Sequence, residues 1–212
     1  AIASPLPSAR GQTLVLDLGA VADPKPHHLA QFALMGTVFA QRVLGIARPT
    51  VGLLSNGEEP SKGNALVLET YGLLAQTPGI DFRGNIEGRD IPRGVVDVVV
   101  TDGFTGNVAL NAAEGVPSFV ANVRREEITT ISMRKLAAPL LRPAFASVKG
   151  RLDYAATGGA QLLGVAGVVV IAHGRSNETA IANAVGVARR GAAGDVAGAI
   201  GRLLAEAEAQ PA

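Results

Sequence analysis

The chain has 212 residues, no cysteine and a net charge of +1. It can supply no thiol nucleophile, no cysteine-bound zinc and no disulfide, and its charge balance gives no reason to expect a nucleic-acid partner. Hydrophobic residues make up 48% and aromatics 4%, with 26 glycines, which is the composition of a close-packed α/β protein and not of a disordered chain.

Five apolar runs read as strands: "TLVLDLG" (13–19), "TVGLLSNG" (50–57), "IDFRGN" (80–85), "VVDVVVTDG" (95–103) and "AGVVVIAHG" (166–174). They are short, β-branched and hydrophobic on both faces, as parallel strands between helices should be. Helical patterns separate most of them. Asp23-Pro24 reads as a cap followed by proline at the first helical position, before apolar residues at helical spacing from Leu29 to Val43. Further helices are expected from about Asn64 to Ala75, from about Val108, after Asn177 and from about Ala193. This alternation predicts a doubly wound, mostly parallel sheet in a single α/β domain over 1–212.

The middle of the chain differs. From Arg124 to Arg151 the pattern is helical with no strand, a projection within the domain. Met133, Leu136, Leu140, Leu141, Phe145 and Val148 share one face, and Lys135, Arg142 and Lys149 recur every seven residues on another. Pro139 and Pro143 should bend or split the segment. It reads either as a basic amphipathic hairpin lying on an anionic membrane or as a packing helix with a solvated charged edge. The run from Tyr154 to Gly174 carries no Asp, Glu, Lys or Arg and is long enough to span a bilayer. Gly158, Gly159, Gly164 and Gly167, with Thr157, Gln161 and His173, favour a glycine loop feeding a buried strand.

In an open parallel sheet, ligands bind beyond the carboxyl ends of the strands. Four strand ends here carry glycine and polar residues: "DLGA" (17–20), "LLSNGEEPSKGNA" (53–65), "TDGFTGN" (101–107) and "AHGRSN" (172–177). Turns and helix N-termini of this kind present backbone N–H groups to an anion, with phosphate the natural candidate. "GEEPSKGN" is not a Walker loop, and "DLGAVADP" is not a dinucleotide fingerprint. Lys62 reads either as a phosphate or oxyanion partner or as a surface lysine at a helix start. Asn107 reads either as a helix cap or as an amide donor to an oxyanion. Asp102 either orients Lys62 or hydrogen-bonds its own turn, and His173 is either an acid–base group or a hydrogen-bonded strand-end histidine. Asp17, Glu58 and Glu59 have no metal-site spacing, so no metal is expected.

Those strand ends, taken with "AIASPLPS" (1–8), "LVLDLGA" (14–20), "KPHHLAQFALMG" (25–36), "VLGIARPTVGLL" (43–54), "GEEPSKGNAL" (57–66), "FRGNIEGRDI" (82–91), "VDVVVTDGFTGNVAL" (96–110), "LDYAATGGAQLLGV" (152–165) and "VVIAHGRSN" (169–177), resemble the bacterial phosphate acyltransferases of phospholipid synthesis, the PlsX family. Each stretch is weak alone; their shared order across nearly the whole chain is specific. The resemblance implies attack of inorganic phosphate on the thioester of a long-chain acyl carrier protein, giving an acyl phosphate and free carrier. It implies a fold similar to the isocitrate and isopropylmalate dehydrogenases, a homodimer, and no cofactor. The family's essential lysine falls on Lys62 and its essential asparagine on Asn107, with Asp102 and His173 as second choices. Gly57, Gly63, Asn64, Gly103, Gly106 and Gly174 are then expected around the substrates.

The resemblance further implies a cytoplasmic protein that associates peripherally with the inner face of the membrane through residues 133–150, where a membrane glycerol-3-phosphate acyltransferase would take the product. Two positions depart from the family pattern: Val21 stands where "LDxGAN" has its asparagine, and Ser55 where "LLNIGEE" has its own. Family chains carry a further N-terminal portion of roughly a hundred or more residues, with a "GGD" loop that helps to bind phosphate, so the chain is expected to be the C-terminal two-thirds of a longer one. Two rival readings stand beside this one: a phosphate acetyl- or butyryltransferase acting on acyl-CoA, and a non-catalytic module that binds acyl carrier or membrane.

Overall fold

The structure is a computed structural model that describes residues 1–130, 141, 143–148, 150, 159–172 and 176–209. Seven strands form one sheet: β1 (Ile2–Ser8), β2 (Gly11–Leu16), β3 (Thr50–Ser55), β4 (Asp81–Glu87), β5 (Val98–Val100), β6 (Ala160–Leu162) and β7 (Val169–Ile171), in the order β4-β3-β5-β2-β1-β6-β7. The described helices are α1 (Pro26–Arg42), α2 (Ala65–Gln76), α3 (Gly103–Thr130), α4 (Glu178–Ala193) and α5 (Val196–Ala209).

The sheet is mixed rather than mostly parallel. β2, β5, β3 and β4 form a parallel block, while β1, β6 and β7 each pair antiparallel with the strand before them in that order. β1 and β6 are strands the sequence pattern did not predict. β1 contains Pro5 and Pro7, which disqualify a central strand. It tolerates them because β6 pairs only with Ile2 and Ala3, so most of β1 is bonded along one side.

One face of the sheet carries the main core. Leu14, Leu16, Val51, Leu53, Val98 and Val100 pack there against Leu29, Phe32 and Phe39 of α1, Val67 and Leu74 of α2, and Val196 and Ile200 of α5. Their neighbours along the strands, Val15, Leu54 and Val99, point to the other face, as strand alternation requires. That face is covered by Ile91 and Val96 and touched by Leu110 of α3.

Two helix starts differ from expectation. α1 begins at Pro26, not after Asp23, because Pro26 supplies the fixed φ at its first position and His28 supplies the cap. The Lys25 N–H donates to His28 Nδ1 at 3.0 Å, and the His28 N–H donates back to the Lys25 carbonyl at 2.9 Å. α3 begins at Gly103, five residues before Val108, because Asp102 caps it: Asp102 Oδ1 accepts the Thr105 N–H at 2.7 Å.

α3 runs 28 residues with Pro117 inside it. Beyond its first turns Val116, Phe119, Val120 and Val123 are exposed. Of the helical face read over 124–151, residues 143–148 are helical, Leu141 and Val148 are exposed, and the Arg124 guanidinium lies 4.2 Å from the centre of the Phe145 ring. Lys135, Leu136, Leu140, Arg142 and Lys149 lie outside the described residues. Among the described residues no helix is long and apolar enough to cross a membrane.

Candidate functional site

Register places the site. Leu16 of β2 and Leu53 of β3 both pair with Val100 of β5, so three parallel strands end level with one another. Neighbouring strands lie about 4.8 Å apart, so the loops that follow begin within about 10 Å of each other. Those loops hold Asp17–Val21, Ser55–Asn64 and Thr101–Asn107, three of the four candidate strand ends. The ladder continues one residue further: the Thr101 N–H donates to the Leu16 carbonyl at 2.8 Å and the Asp17 N–H to the Thr101 carbonyl at 3.0 Å.

The fourth candidate strand end opens elsewhere. β7 lies three strands from β2 and runs against β2, β3, β4 and β5, so its carboxyl end faces the opposite edge of the sheet. His173 and Gly174 themselves lie outside the described residues.

Asp17 organises the first loop. Its side chain is fully buried, and its two oxygens accept four backbone N–H groups: Oδ1 from Ile2 at 2.8 Å, Gly19 at 3.1 Å and Ala20 at 3.0 Å, and Oδ2 from Val21 at 2.7 Å. A carboxylate engaged in this way is a fixed part of the loop.

α3 then packs its first turn directly on that loop. The Gly103 N–H donates to the Val21 carbonyl at 2.9 Å and the Gly106 N–H to the Asp102 carbonyl at 2.9 Å. A Cβ on Gly103 would stand 2.6 Å from the Val21 oxygen, and one on Gly106 would overlap the Asp17 carbonyl oxygen. In the structure, then, these two glycines serve close packing of helix on loop, and both N–H groups are already engaged.

Asn107 sits in the second turn and is exposed, so it does not cap the helix; Asp102 does. Its Nδ2 donates to the Leu18 carbonyl at 3.2 Å, and its Oδ1 accepts from Asn111 Nδ2 at 2.9 Å. The Leu18 carbonyl can only accept, which fixes the orientation of the amide. One hydrogen on Asn107 Nδ2 remains without a protein partner among the described residues.

Lys62 ends a tight turn. Its N–H donates to the Glu59 carbonyl at 3.0 Å, with Pro60 between them. Its side chain is exposed, and no carboxylate pairs with it among the described residues. Its stem lies against Gly57, where a Cβ would come 2.6 Å from Lys62 Cγ. Gly63, at φ +115°, turns the chain into α2, and Asn64 caps that helix, its Oδ1 accepting the Val67 N–H at 2.9 Å. Two buried oxygens near this loop, Ser55 Oγ and Asn85 Oδ1, have no hydrogen-bond partner among the described residues. Chemically, the edge offers one mobile cation, one directed amide donor and a rigid loop floor. No three acids or histidines converge to hold a metal ion among the described residues.

Sequence reasoning undervalued three residues here. Asp17 had a usable signal, a strand-end Asp followed by Gly, which is an Asx-type turn pattern. Asn111 stands four residues after Asn107 on one helix face. Asn85 had no local signal, because its partners lie on a different loop.

The fold and this edge define an α/β domain with a mixed seven-stranded sheet, three of whose parallel strands deliver their loops to one edge. Residues 1–198 match the family model described as "Fatty acid synthesis protein", and the chain belongs to that family. Over 190 residues it is 54% identical to a protein of Elusimicrobium minutum named "Phosphate acyltransferase", covering 90% of this chain and 55% of the relative. Proteins of the same name from Pelotomaculum thermopropionicum and Geobacter sulfurreducens are each 51% identical, over 189 and 185 residues and over 55% and 53% of their own lengths. The chain thus spans about half the length of these curated relatives.

Proposed function

We propose that this chain carries one wall of the active site of a phosphate acyltransferase, which moves the acyl group of a long-chain acyl carrier protein onto inorganic phosphate. The observation that supports this best is the meeting of the Lys62 and Asn107 loops on one sheet edge, in a chain 54% identical to a protein of that name.

In this reading a phosphate oxygen attacks the thioester carbonyl carbon. The new C–O bond forms as the carbonyl electrons move onto oxygen. Collapse of that tetrahedral species breaks the C–S bond, and the carrier thiolate leaves and takes up a proton. Lys62 offsets the charge of the phosphate or of the oxyanion, and the second Asn107 amide hydrogen donates to the oxyanion. The Asn107 amide is held in advance by the Leu18 carbonyl, so little reorganisation is needed there when charge develops. Asp102 fixes the turn through Thr105, and Asp17 fixes the floor. His173 lies outside the described residues and is given no role in this proposal.

The exposed apolar residues of α3, with Leu141 and Val148, need a cover. A second copy of the chain, or the inner membrane surface where a sparingly soluble acyl phosphate would be handed on to its user, fits that need. The rival reading, a short-chain acyl-CoA enzyme, differs in its thioester. In a polypeptide of the relatives' full length, palmitoyl-ACP should be consumed only when inorganic phosphate is present, and hydroxylamine should trap the activated acyl product. Faster turnover of butyryl-CoA than of palmitoyl-ACP would transfer the assignment to the rival.

A further inference from the structure

We infer that Asn85 is a positioning residue that sets the direction of Lys62, an inference that rests on Lys62 having the role proposed above. Asn85 lies on β4, the edge strand, and is only 6% exposed. Its Nδ2 donates to the Glu59 carbonyl at 2.9 Å and reaches the Lys62 carbonyl at 3.5 Å, so it grips both ends of the turn that presents Lys62. Among the described residues no other hydrogen bond ties residues 59–62 to the sheet.

The strand is irregular at the point that delivers this grip. Val51 of β3 pairs with Phe82 and Leu53 with Asn85, so Arg83 and Gly84 together stand opposite Gly52. Gly84 takes φ +93°, a conformation glycine adopts without strain. An extra residue of this kind reverses which face the following side chains meet. It thereby places Asn85, and not Gly84, beside Leu53. Asn85 also leaves its own Oδ1 buried without a partner. A strand selected for stability alone would place an apolar side chain there and avoid that cost. Retaining the amide makes sense if its donor holds the loop.

The test is a double-mutant cycle on phosphate-dependent acyl transfer in a polypeptide of the relatives' full length, comparing Asn85→Ala, Lys62→Ala and the pair. A lysine swung out of line costs on the order of 10-fold to 100-fold in kcat/KM. Asn85→Ala should show that loss alone and almost none when Lys62 is already alanine. Asn85→Gln, which keeps a donor, should recover part of it; if Asn85→Ala does not fold, Asn85→Asp, which removes the donor at constant volume, takes its place in the cycle. Losses that multiply in the double variant, or full activity in the folded Asn85 variant, would overturn the inference. Full activity in Lys62→Ala would instead sink the role given to Lys62, and this inference with it.

Discussion

Gly106 shows how a single atom's absence shapes the site. Its missing Cβ lets α3 settle on the Asp17 carbonyl, and this seating carries Asn107 over the Leu18 carbonyl. The obstacle to a larger residue is backbone, which cannot swing aside. Gly106→Ala should therefore lower stability by about 3 kcal/mol or more in urea unfolding. Gly115, in the same helix with open space around it, is the control. There, alanine should raise stability by about 0.5–1 kcal/mol through helix propensity. Equal effects at the two positions would contradict the packing account. At this scale the sequence was partly legible. The exposed place of Lys62 before a helix and the strand-end position of Asp102 could be read. Asn107 could not be placed, because its environment depends on where α3 begins, and that depends on Asp102 acting as the cap.

The helices and strands were legible where their cause is local and opaque where it is not. α2 and α4 start after Asn64 and Asn177, whose side chains accept from Val67 and Ala180. Both starts were readable from an asparagine before an apolar run. β4's irregularity was not, since it is a matter of pairing with β3. α1 carries a titration that can be tested. His28 lies below the ordinary histidine value through burial first, then through the neighbouring charges of His27 and Lys25. Its Nδ1 must be unprotonated to accept the Lys25 N–H. Protonation is thus harder in the folded than in the unfolded chain, which binds the proton near its ordinary value of about 6.5. The contribution to stability is complete above that pH and is lost as pH falls through the lower folded value. Chemical unfolding measured from pH 7.5 down to pH 5 should show a loss of stability that His28→Gln removes. An unchanged slope in that variant would assign the loss to other groups.

At the scale of the whole molecule, one parallel block does the placing. Three of its four strands, β2, β5 and β3, bring their loops level, while the antiparallel strands β1, β6 and β7 extend the sheet away from them. Alternating strands and helices predicted an α/β sheet, and the register among β2, β5 and β3 brings their loops to a common edge. The direction of β7 was not readable, because an apolar run ending in glycine looks the same whichever way it points. The chain spans about half the length of the curated relatives it matches, so the proposed chemistry is to be tested in a polypeptide of the relatives' full length. The most direct test is acyl phosphate formation from palmitoyl-ACP and inorganic phosphate by that polypeptide, wild type beside Lys62→Ala and Asn107→Ala. Both side chains are exposed, so neither change should move the thermal midpoint by more than a few degrees. The account predicts a fall in kcat on the order of 100-fold or more in each variant. A folded variant that turns over at the wild-type rate would contradict it.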